Sequence, residues 1–321
     1  MKQKFRKALT EGYSLLNNLL ILVANLRIFP YMEKYYDNII IPVDFGERTE
    51  MLVNQAHSLA ELMNTGLTLI HVNNEKSSLE YDKNKSNVIY NTEDSDIAIK
   101  LRRLAGLYSN KYNIPVQYTV LEGAVHEVIT NFAEENRVRL IVMGKSGKSH
   151  GDEVAIGKNT AQIIRMSTCP VITINQKVRE SFSKILLPLD LSKQIRQKIN
   201  IAIMFSRYYG ATVKIISIIN QDNFNQEKDI KIKLAKTKDF MIENNVACTV
   251  DMVYNFDRSS LTAERILSYS KESRCDMIMI MTQQEKNWKH TFIGSTASQI
   301  IKNSVVPVMT ITPYQDNFKH I

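Results

Sequence analysis

The stretch NIIIPVDF (Asn38 to Phe45) decides the fold of this chain, because it returns later as KILLPLDL (Lys184 to Leu191). A second pair closes each copy, where STCPVITI (Ser167 to Ile174) returns as SVVPVMTI (Ser304 to Ile311). The first pair is offset by 146 residues and the second by 137, so the first copy is nine residues longer. A repeat of this kind predicts two domains of the same fold.

Short apolar runs rich in β-branched residues alternate with longer stretches of helical periodicity in both copies. This alternation, with nearly continuous apolar strands, predicts an α/β fold in which each domain is a parallel sheet covered by helices on both faces. The extra length of the first copy is expected in a polar loop at 73–96. The predicted strands are 39–43, 67–72, 116–121, 139–143 and 170–174, then 185–189, 211–218, 247–254, 276–281 and 307–311, and the predicted helices of the first copy are 48–64, 95–113, 124–136 and 158–167.

Composition limits the class of protein. The chain has 321 residues with 44% hydrophobic content, which suits two soluble domains with their own cores. Its three cysteines, Cys169, Cys248 and Cys275, are far apart and form no C-x-x-C pair, which argues against a disulfide framework or a cysteine-rich metal site. They are expected to be small buried residues, and a reducing cytoplasm fits them best.

The net charge of +8 is unevenly distributed. Residues 39–176 carry a net charge of −2, whereas residues 177–321 carry +7. No zinc-finger spacing, RNP-like motif or helix-turn-helix pattern accompanies the basic excess. A solvated basic surface is therefore favoured over nucleic-acid binding.

The first 31 residues combine a basic start with an apolar run. The run is interrupted by Asn17, Asn18, Asn25 and Arg27, so it falls short of the roughly 18 to 20 apolar residues that cross a bilayer, and no transmembrane span is expected. Three interpretations stay open for the segment 1–37: an amphipathic helix on a membrane or partner, a poor secretion signal, or an extension upstream of a natural start at Met32.

The stretch MGKSGKSHGDEVAIGKNTAQII (Met143 to Ile164) follows a predicted strand and runs into a predicted helix. Three of its four glycines, Gly144, Gly147 and Gly157, have the spacing Gly-x2-Gly-x9-Gly. Glycine lets a ligand approach the backbone closely, and amides at a helix start attract anions, so the segment is interpreted as a phosphate cradle. The lysines add positive charge and the polar residues at the helix start add donors. The candidate residues are Gly144, Lys145, Gly147, Lys148, Gly157, Lys158, Asn159 and Thr160.

These motifs together resemble the universal stress protein family. The resemblance rests on the glycine spacing, a first strand ending in PVD, a second ending in HV (His71 and Val72) and a closing CPV strand, and it covers roughly residues 38–312. It implies two tandem doubly wound five-stranded domains of the adenine nucleotide alpha-hydrolase-like type, with strand order 3-2-1-4-5. It also implies ATP binding, with or without Mg²⁺, because some members bind ATP. The residues carried over for the adenosine side are Pro42, Asp44, Val72 and Met143.

The two copies differ at the predicted site. In the first, Lys158 stands where the family has a small hydroxyl residue after the last glycine. In the second, Met281 and Gln284 replace the first two glycines, where side chains would hinder the turn and the approach of phosphate. We therefore expect a nucleotide-binding domain at 38–176 and a degenerate one at 182–313, with the closing strands of the two copies paired within the chain.

The predicted function is an ATP-binding, stress-linked regulatory module in the cytoplasm, with slow ATP hydrolysis as the upper limit of its activity. The common nucleophile, Walker and zinc-protease motifs are absent from the sequence, which leaves no catalytic residue to name. An alternative is an interaction protein that docks on a partner or membrane surface and binds no nucleotide. An adenylating pyrophosphatase is disfavoured because no serine- and glycine-rich loop follows the first strand. Homodimerisation and an unidentified protein partner stay open.

Overall fold

The computed structural model describes residues 38–73, 95–145, 155–176, 182–191, 195–257, 261–282 and 293–313. The interpretations of the segment 1–37 lie outside these residues. The middle of the polar loop at 73–96 also lies outside them, as do Gly147 and Lys148 of the predicted phosphate cradle.

Ten strands and eight α-helices alternate along the described part of the chain. Every predicted strand is confirmed to within one residue at each end, and the four predicted helices to within two. The strands are β1 (Asn38–Pro42), β2 (Gly66–Asn73), β3 (Val116–Glu122), β4 (Leu140–Gly144), β5 (Val171–Ile174), β6 (Lys184–Pro188), β7 (Thr212–Ile219), β8 (Cys248–Tyr254), β9 (Met277–Met281) and β10 (Val308–Ile311). The helices are α1 (Arg48–Leu62), α2 (Asp96–Tyr112), α3 (Val125–Glu135), α4 (Lys158–Met166), α5 (Arg196–Tyr209), α6 (Glu227–Glu243), α7 (Thr262–Glu272) and α8 (Ser295–Asn303).

All ten strands belong to one sheet, in the order β3-β2-β1-β4-β5-β10-β9-β6-β7-β8. The first five have the predicted order 3-2-1-4-5, and the second five repeat it in the opposite direction across the sheet. Strands within each copy are parallel. The fold is therefore α/β with two tandem doubly wound halves, as predicted.

Strand β1 shows why continuous apolar runs were informative. Ile39, Ile40 and Ile41 are all fully buried, and they belong alternately to two hydrophobic clusters. Ile39 and Ile41 share one cluster with residues of α1 and α2, whereas Ile40 lies in the other with residues of α3 and α4. A strand with helices on both faces has no solvent side, so it needs no polar alternation.

The two copies join through β5 and β10, which pair antiparallel with Val308 opposite Thr173 and Thr310 opposite Val171. Thr173 and Thr310 stand at equivalent positions of the repeat, and their hydroxyls bond reciprocally across the joint. The Thr173 Oγ1 atom donates to the Val308 carbonyl at 3.3 Å, and the Thr310 Oγ1 atom donates to the Val171 carbonyl at 3.1 Å. The predicted pairing of the closing strands is thus present, and it has internal two-fold character.

The cysteines are free thiols, as expected from their spacing. Cys169 and Cys275 are buried, and burial raises the pKa of each to about 11. Cys248 is partly buried, and its pKa is also raised, chiefly by desolvation. Thiols with raised pKa values are poor nucleophiles at neutral pH, which agrees with a packing role.

A fragment of residues 32–176 retains β5 but lacks β10, so it would expose an unpaired strand edge. We expect this fragment to self-associate, because exposed strand edges pair with other chains. Strand β5 is similar in sequence to its partner β10, so the β5 strand of a second fragment could take the place of β10. Light scattering over a concentration series measures this, with the full chain as the control. A fragment that stays monodisperse and monomeric would contradict the prediction.

Candidate functional site

The order of the strands reverses between β1 and β4. Strand β1 pairs with β2 on one side and with β4 on the other, and all three run parallel. In open α/β sheets, ligands bind outside the carboxyl ends of the strands at such a reversal. Asp44 follows the end of β1 and Gly144 ends β4, so this edge brings the two predicted halves of the site together.

The turn after β1 is closed by a hydrogen bond between Asp44 and Gly46. The Oδ1 atom of Asp44 accepts a hydrogen bond from the Gly46 amide at 2.9 Å. A Cβ atom at Gly46 would lie 2.9 Å from the same oxygen, so a side chain there would require the Asp44 carboxylate to shift. Glu47 is the N-cap of α1, and Asp44 is therefore not the helix cap. Its exposed carboxylate orders the turn and faces solvent at the strand end.

Phe45 has a left-handed backbone conformation with φ of +56°, which is unusual for a bulky residue. Its ring lies 4.9 Å from the ring of His71, and the ammonium of Lys100 lies 4.5 Å from its centroid. Strained backbone of this kind concentrates at functional sites. Phe45 is not among the residues that the sequence predicts for the site, because no local pattern marks a non-glycine residue for positive φ.

His71 fixes the end of β2 to the end of β1. Its Nδ1 atom lies 2.8 Å from the Val43 carbonyl, and because a carbonyl only accepts, Nδ1 carries the proton and donates. The Val43 amide also donates to the Ile70 carbonyl at 2.7 Å. In the sequence, His71 is only part of the HV motif. Its hydrogen bond between the ends of β1 and β2 is visible only in the structure.

The other residues predicted on the adenosine side line the same strand ends. Pro42 ends β1 and is half-buried, Val72 near the end of β2 is also half-buried, and Met143 in β4 is buried. They stand at the same edge of the sheet as the exposed Asp44.

The ends of the glycine-containing loop are tied together at a narrow neck. The Gly157 amide donates to the Lys145 carbonyl at 3.0 Å, and the Thr160 hydroxyl donates to the Gly144 carbonyl at 3.2 Å. Thr160 is buried, so its hydroxyl serves the neck. The loop residues between, including Gly147 and Lys148, lie outside the described part of the chain.

Helix α4 begins immediately beyond this neck, with Gly157 as its N-cap. The first intrahelical bond is donated by the Ala161 amide to the Gly157 carbonyl at 2.9 Å. The amides of Lys158, Asn159 and Thr160 precede that bond, and within the described residues no backbone acceptor pairs with them. Such amides, together with the helix dipole, attract an anion. Lys158 and Asn159 are exposed and border the same position.

The sequence predicts that Lys145 faces phosphate, but in the structure its ammonium contacts a carbonyl of the second domain. The side chain is buried, and Nζ donates to the Lys302 carbonyl in the last turn of α8, in the second copy. Burial lowers the pKa of Lys145, and the positive charges of Arg48 and Lys302 lower it further. Lys145 therefore links the neck of the first loop to the second domain.

The neck is repeated in the second copy. The Gly294 amide donates to the Thr282 carbonyl at 3.1 Å, and the Ser298 amide donates to the Gly294 carbonyl at 2.9 Å. Thr282 stands at the position of Lys145, and Ala297 stands at that of Thr160. The backbone arrangement is the same in both copies, but the second copy lacks the lysines of the first and the hydroxyl of Thr160, and it has Ser295 and Thr296 in place of Lys158 and Asn159.

A buried lysine occupies the second domain at the equivalent strand ends. Lys198 in α5 is 2% exposed, and its Nζ donates to the Pro188 carbonyl at 2.6 Å. Burial lowers its pKa to about 8, and the charge of Asp190 acts in the opposite direction. The first domain has the buried Leu52 at this position of the repeat. A charged residue at a core position is a signal that comparison of the two copies would have revealed.

Among the residues that the structure describes, no group of three or more His, Cys, Asp or Glu side chains could hold a metal ion. Nor does any helix in that part of the chain combine the length and apolarity needed to cross a bilayer.

The sequence is similar to that of known proteins of one family. The model of the Universal stress protein family matches the chain twice, at residues 35–175 and 181–312. A universal stress protein of Methanocaldococcus jannaschii is 26% identical over 161 residues, which is 46% of this chain and 99% of that protein. Universal stress protein A homolog 1 of Coxiella burnetii is 26% identical over 145 residues, which is 44% of this chain and 99% of that protein.

Solved structures support the same fold over nearly the whole chain. A universal stress protein from Archaeoglobus fulgidus has a TM-score of 0.67 at 18% identity, with 88% of this chain and 98% of that chain covered. A protein of unknown function from Pseudomonas aeruginosa has a TM-score of 0.63 at 14% identity, with 86% and 92% covered. The chain belongs to the universal stress protein family and contains two tandem copies of its domain.

The buried ammonium of Lys198 makes stability depend on pH. Below about pH 8 the folded state bears the cost of burying the charge. Between about 8 and the ordinary value of 10.5, folded Lys198 is neutral while the unfolded chain keeps its proton, so the wild type gains stability as the pH rises. In Lys198→Leu this gain is absent, and the stability of the variant relative to the wild type should fall by up to about 1 kcal/mol per pH unit in that window.

Urea unfolding of both proteins from pH 7 to about pH 10 measures this difference. Lys236→Leu, which removes an exposed lysine of α6, is the control and should show no such trend, because its ammonium bears little burial cost. A difference between Lys198→Leu and wild type that is constant across the range would contradict the prediction.

Proposed function

We propose that the first domain binds ATP and that the chain acts as a stress-linked regulatory module in the cytoplasm. The observation that carries the proposal is the start of α4. There, three backbone amides without a backbone acceptor in the described residues follow a Gly-x2-Gly-x9-Gly loop whose ends are tied by the Gly157–Lys145 bond. This arrangement suits a phosphate group, which accepts several amide hydrogen bonds at once.

The neighbouring strand ends suit the nucleoside part of the ligand. Pro42, Val72 and Met143 supply apolar surface, and Asp44 supplies an exposed carboxylate that could accept hydrogen bonds from ribose hydroxyls. ATP is the ligand proposed because some members of the family bind it. Mg²⁺ would be held chiefly by phosphate oxygens, since a single carboxylate beside the site is typical of magnesium–nucleotide complexes.

We propose ligand binding as the main role, with slow hydrolysis at most. Bound ATP would favour one conformation of the chain, and a protein partner that recognises this conformation would respond to the concentration of ATP. Turnover would need a group positioned to activate water, and none is proposed among the residues around the neck. The second domain is proposed to bind no nucleotide, because it lacks the first two glycines and places Lys198 at its strand ends.

An interaction role without nucleotide is the alternative, and one observation favours it. Three exposed aromatic residues, Phe224, Tyr254 and Phe256, lie together near the carboxyl ends of β7 and β8. The ring centroids of Phe224 and Phe256 are 5.6 Å apart, as are those of Tyr254 and Phe256. Exposed aromatic clusters are enriched at protein interfaces. Both functions can coexist in one chain, so nucleotide binding is the property to test.

We expect isothermal titration of the full chain with ATP to give one site per chain, and Gly147→Val to abolish it. A β-branched side chain would intrude on phosphate and disfavours the positive φ that the turn is expected to require. Loss of two charge-assisted hydrogen bonds, each of about 1.5 to 3 kcal/mol, weakens binding by roughly two orders of magnitude or more. Asp44→Ala should weaken it less, because the phosphate contacts remain.

Gln284→Val is the matched control, because Gln284 stands at the same position of the second copy. It should leave ATP affinity unchanged, and thermal melts without ligand should be alike for all variants. If the wild type binds no ATP, or if Gly147→Val binds it normally with a native melt, the interaction role becomes the better explanation.

A further inference from the structure

The aromatic cluster of the second domain consists of Phe224, Tyr254 and Phe256. Tyr254 ends β8, Phe256 lies two residues beyond it, and Phe224 begins a short 3₁₀ turn, Phe224–Gln226, that leads into α6. The three residues are 48%, 41% and 48% exposed, so each ring presents much of its surface to solvent. The Phe256 ring is inclined by 72° to that of Phe224 and by 36° to that of Tyr254. Because it contacts both of the others, Phe256 is the central ring of the cluster.

The fold does not require aromatic residues at this end of the sheet. In the parallel pairing of the edge strands, Glu122 of β3 is the counterpart of Tyr254 of β8. Ala124 is accordingly the counterpart of Phe256. The first domain therefore completes the same strand ends without these two rings. Exposed aromatic residues that packing does not need indicate a surface that another molecule covers.

The surroundings of the cluster are acidic, although the second domain as a whole is basic. Residues 220–229 contain three acidic side chains and one lysine, whereas residues 177–321 carry a net charge of +7. The Tyr254 hydroxyl donates to the Oε1 atom of Glu227 at 2.7 Å, which holds this carboxylate at the edge of the cluster. Asp222, two residues before Phe224, is exposed. This local charge favours a cationic partner over nucleic acid or an anionic membrane surface.

An aromatic cluster beside a carboxylate matches the chemistry of arginine. Aromatic rings attract cations through the negative charge of their faces. The planar guanidinium group stacks on a ring and also forms two parallel hydrogen bonds to a carboxylate, whereas the lysine ammonium acts as a compact point charge. The same chain already contains a contact of this kind, since the Arg102 guanidinium lies 5.9 Å from the centroid of the Tyr118 ring.

We propose that the aromatic cluster, together with Glu227, binds an arginine-containing segment of a partner protein. A guanidinium group of the partner would stack on the Phe256 ring and pair with the Glu227 carboxylate. The proposal specifies the partner for the interaction role named above as the alternative function. It does not depend on ATP binding, because the cluster lies in the second domain and shares no residue with the predicted nucleotide site.

Titration of the full chain with short peptides tests the proposal. The probe is the acetylated and amidated peptide Gly-Arg-Gly-Arg-Gly at low salt, followed through the NMR signals of the peptide, and the matched peptide has glutamine in place of both arginines. We expect the arginine peptide to bind and the glutamine peptide to bind at least fivefold more weakly. The full chain carries a net charge of +8, so general electrostatic attraction does not explain binding of a cationic peptide.

Phe256→Leu removes the central ring but keeps an apolar side chain of similar size. We expect it to weaken binding of the arginine peptide roughly fivefold, the effect of one exposed cation–π contact, and Phe256→Trp to restore it. Glu227→Gln removes the negative charge but keeps an oxygen that can accept from Tyr254. We expect it to weaken binding roughly threefold and to reduce the dependence of the affinity on salt.

Phe240→Leu is the matched control, because Phe240 is an exposed phenylalanine of the same domain. It lies 13 residues after Glu227 in α6, roughly 20 Å along the helix, and should leave the affinity unchanged. Thermal melts should be alike for all variants, since the substituted side chains are exposed or partly exposed. Failure of the wild type to bind the arginine peptide, equal binding of the glutamine peptide, or unchanged affinity in Phe256→Leu would each overturn the proposal. ATP binding, measured separately by calorimetry, would stand or fall independently of these results.

Discussion

The antiparallel pairing of β5 with β10 is the constraint on which the rest of this structure depends. It joins two parallel half-sheets into a single sheet, and the reciprocal hydroxyl bonds of Thr173 and Thr310 give the joint its internal symmetry. Because the two strands run in opposite directions, the loop before β10 and the end of α8 lie beside the carboxyl end of β5. A residue of one domain can therefore contact the other domain at the strand ends, as the hydrogen bond from Lys145 to the Lys302 carbonyl illustrates.

The two copies have the same backbone and different chemistry. In both loops the glycine that precedes the helix, Gly157 or Gly294, donates its amide to the carbonyl of the residue after the strand, at nearly equal distances. Where the first copy has Leu52 and Lys145, however, the second has Lys198 and Thr282. The buried Lys198 is tolerated because the Pro188 carbonyl accepts from it and Asp190 offsets its charge. The two copies therefore differ in the side chains at the strand ends and not in the architecture, which both share.

Much of the fold could be predicted, since burial on both faces of a parallel sheet leaves continuous apolar runs such as Ile39 to Ile41. The candidate site could be predicted less completely. The start of α4 at Gly157 and Lys158 was predicted because glycine spacing and a helix start are local features. The left-handed conformation of Phe45 and the hydrogen bond from His71 to Val43 were not, because both depend on how the ends of neighbouring strands meet.

The sequence by itself determined the repeat, the family, the order of strands and helices, and the inequality of the two glycine loops, all of which are written in local residue types and their spacing. Only the tertiary structure decided where the lysines act. Lys145 was assigned to phosphate from its neighbours in the chain, yet its ammonium lies against a carbonyl 157 residues away, beside Arg48 and Lys302. A long flexible side chain takes its direction from the charges and carbonyls that packing brings near it, and these come from distant parts of the chain.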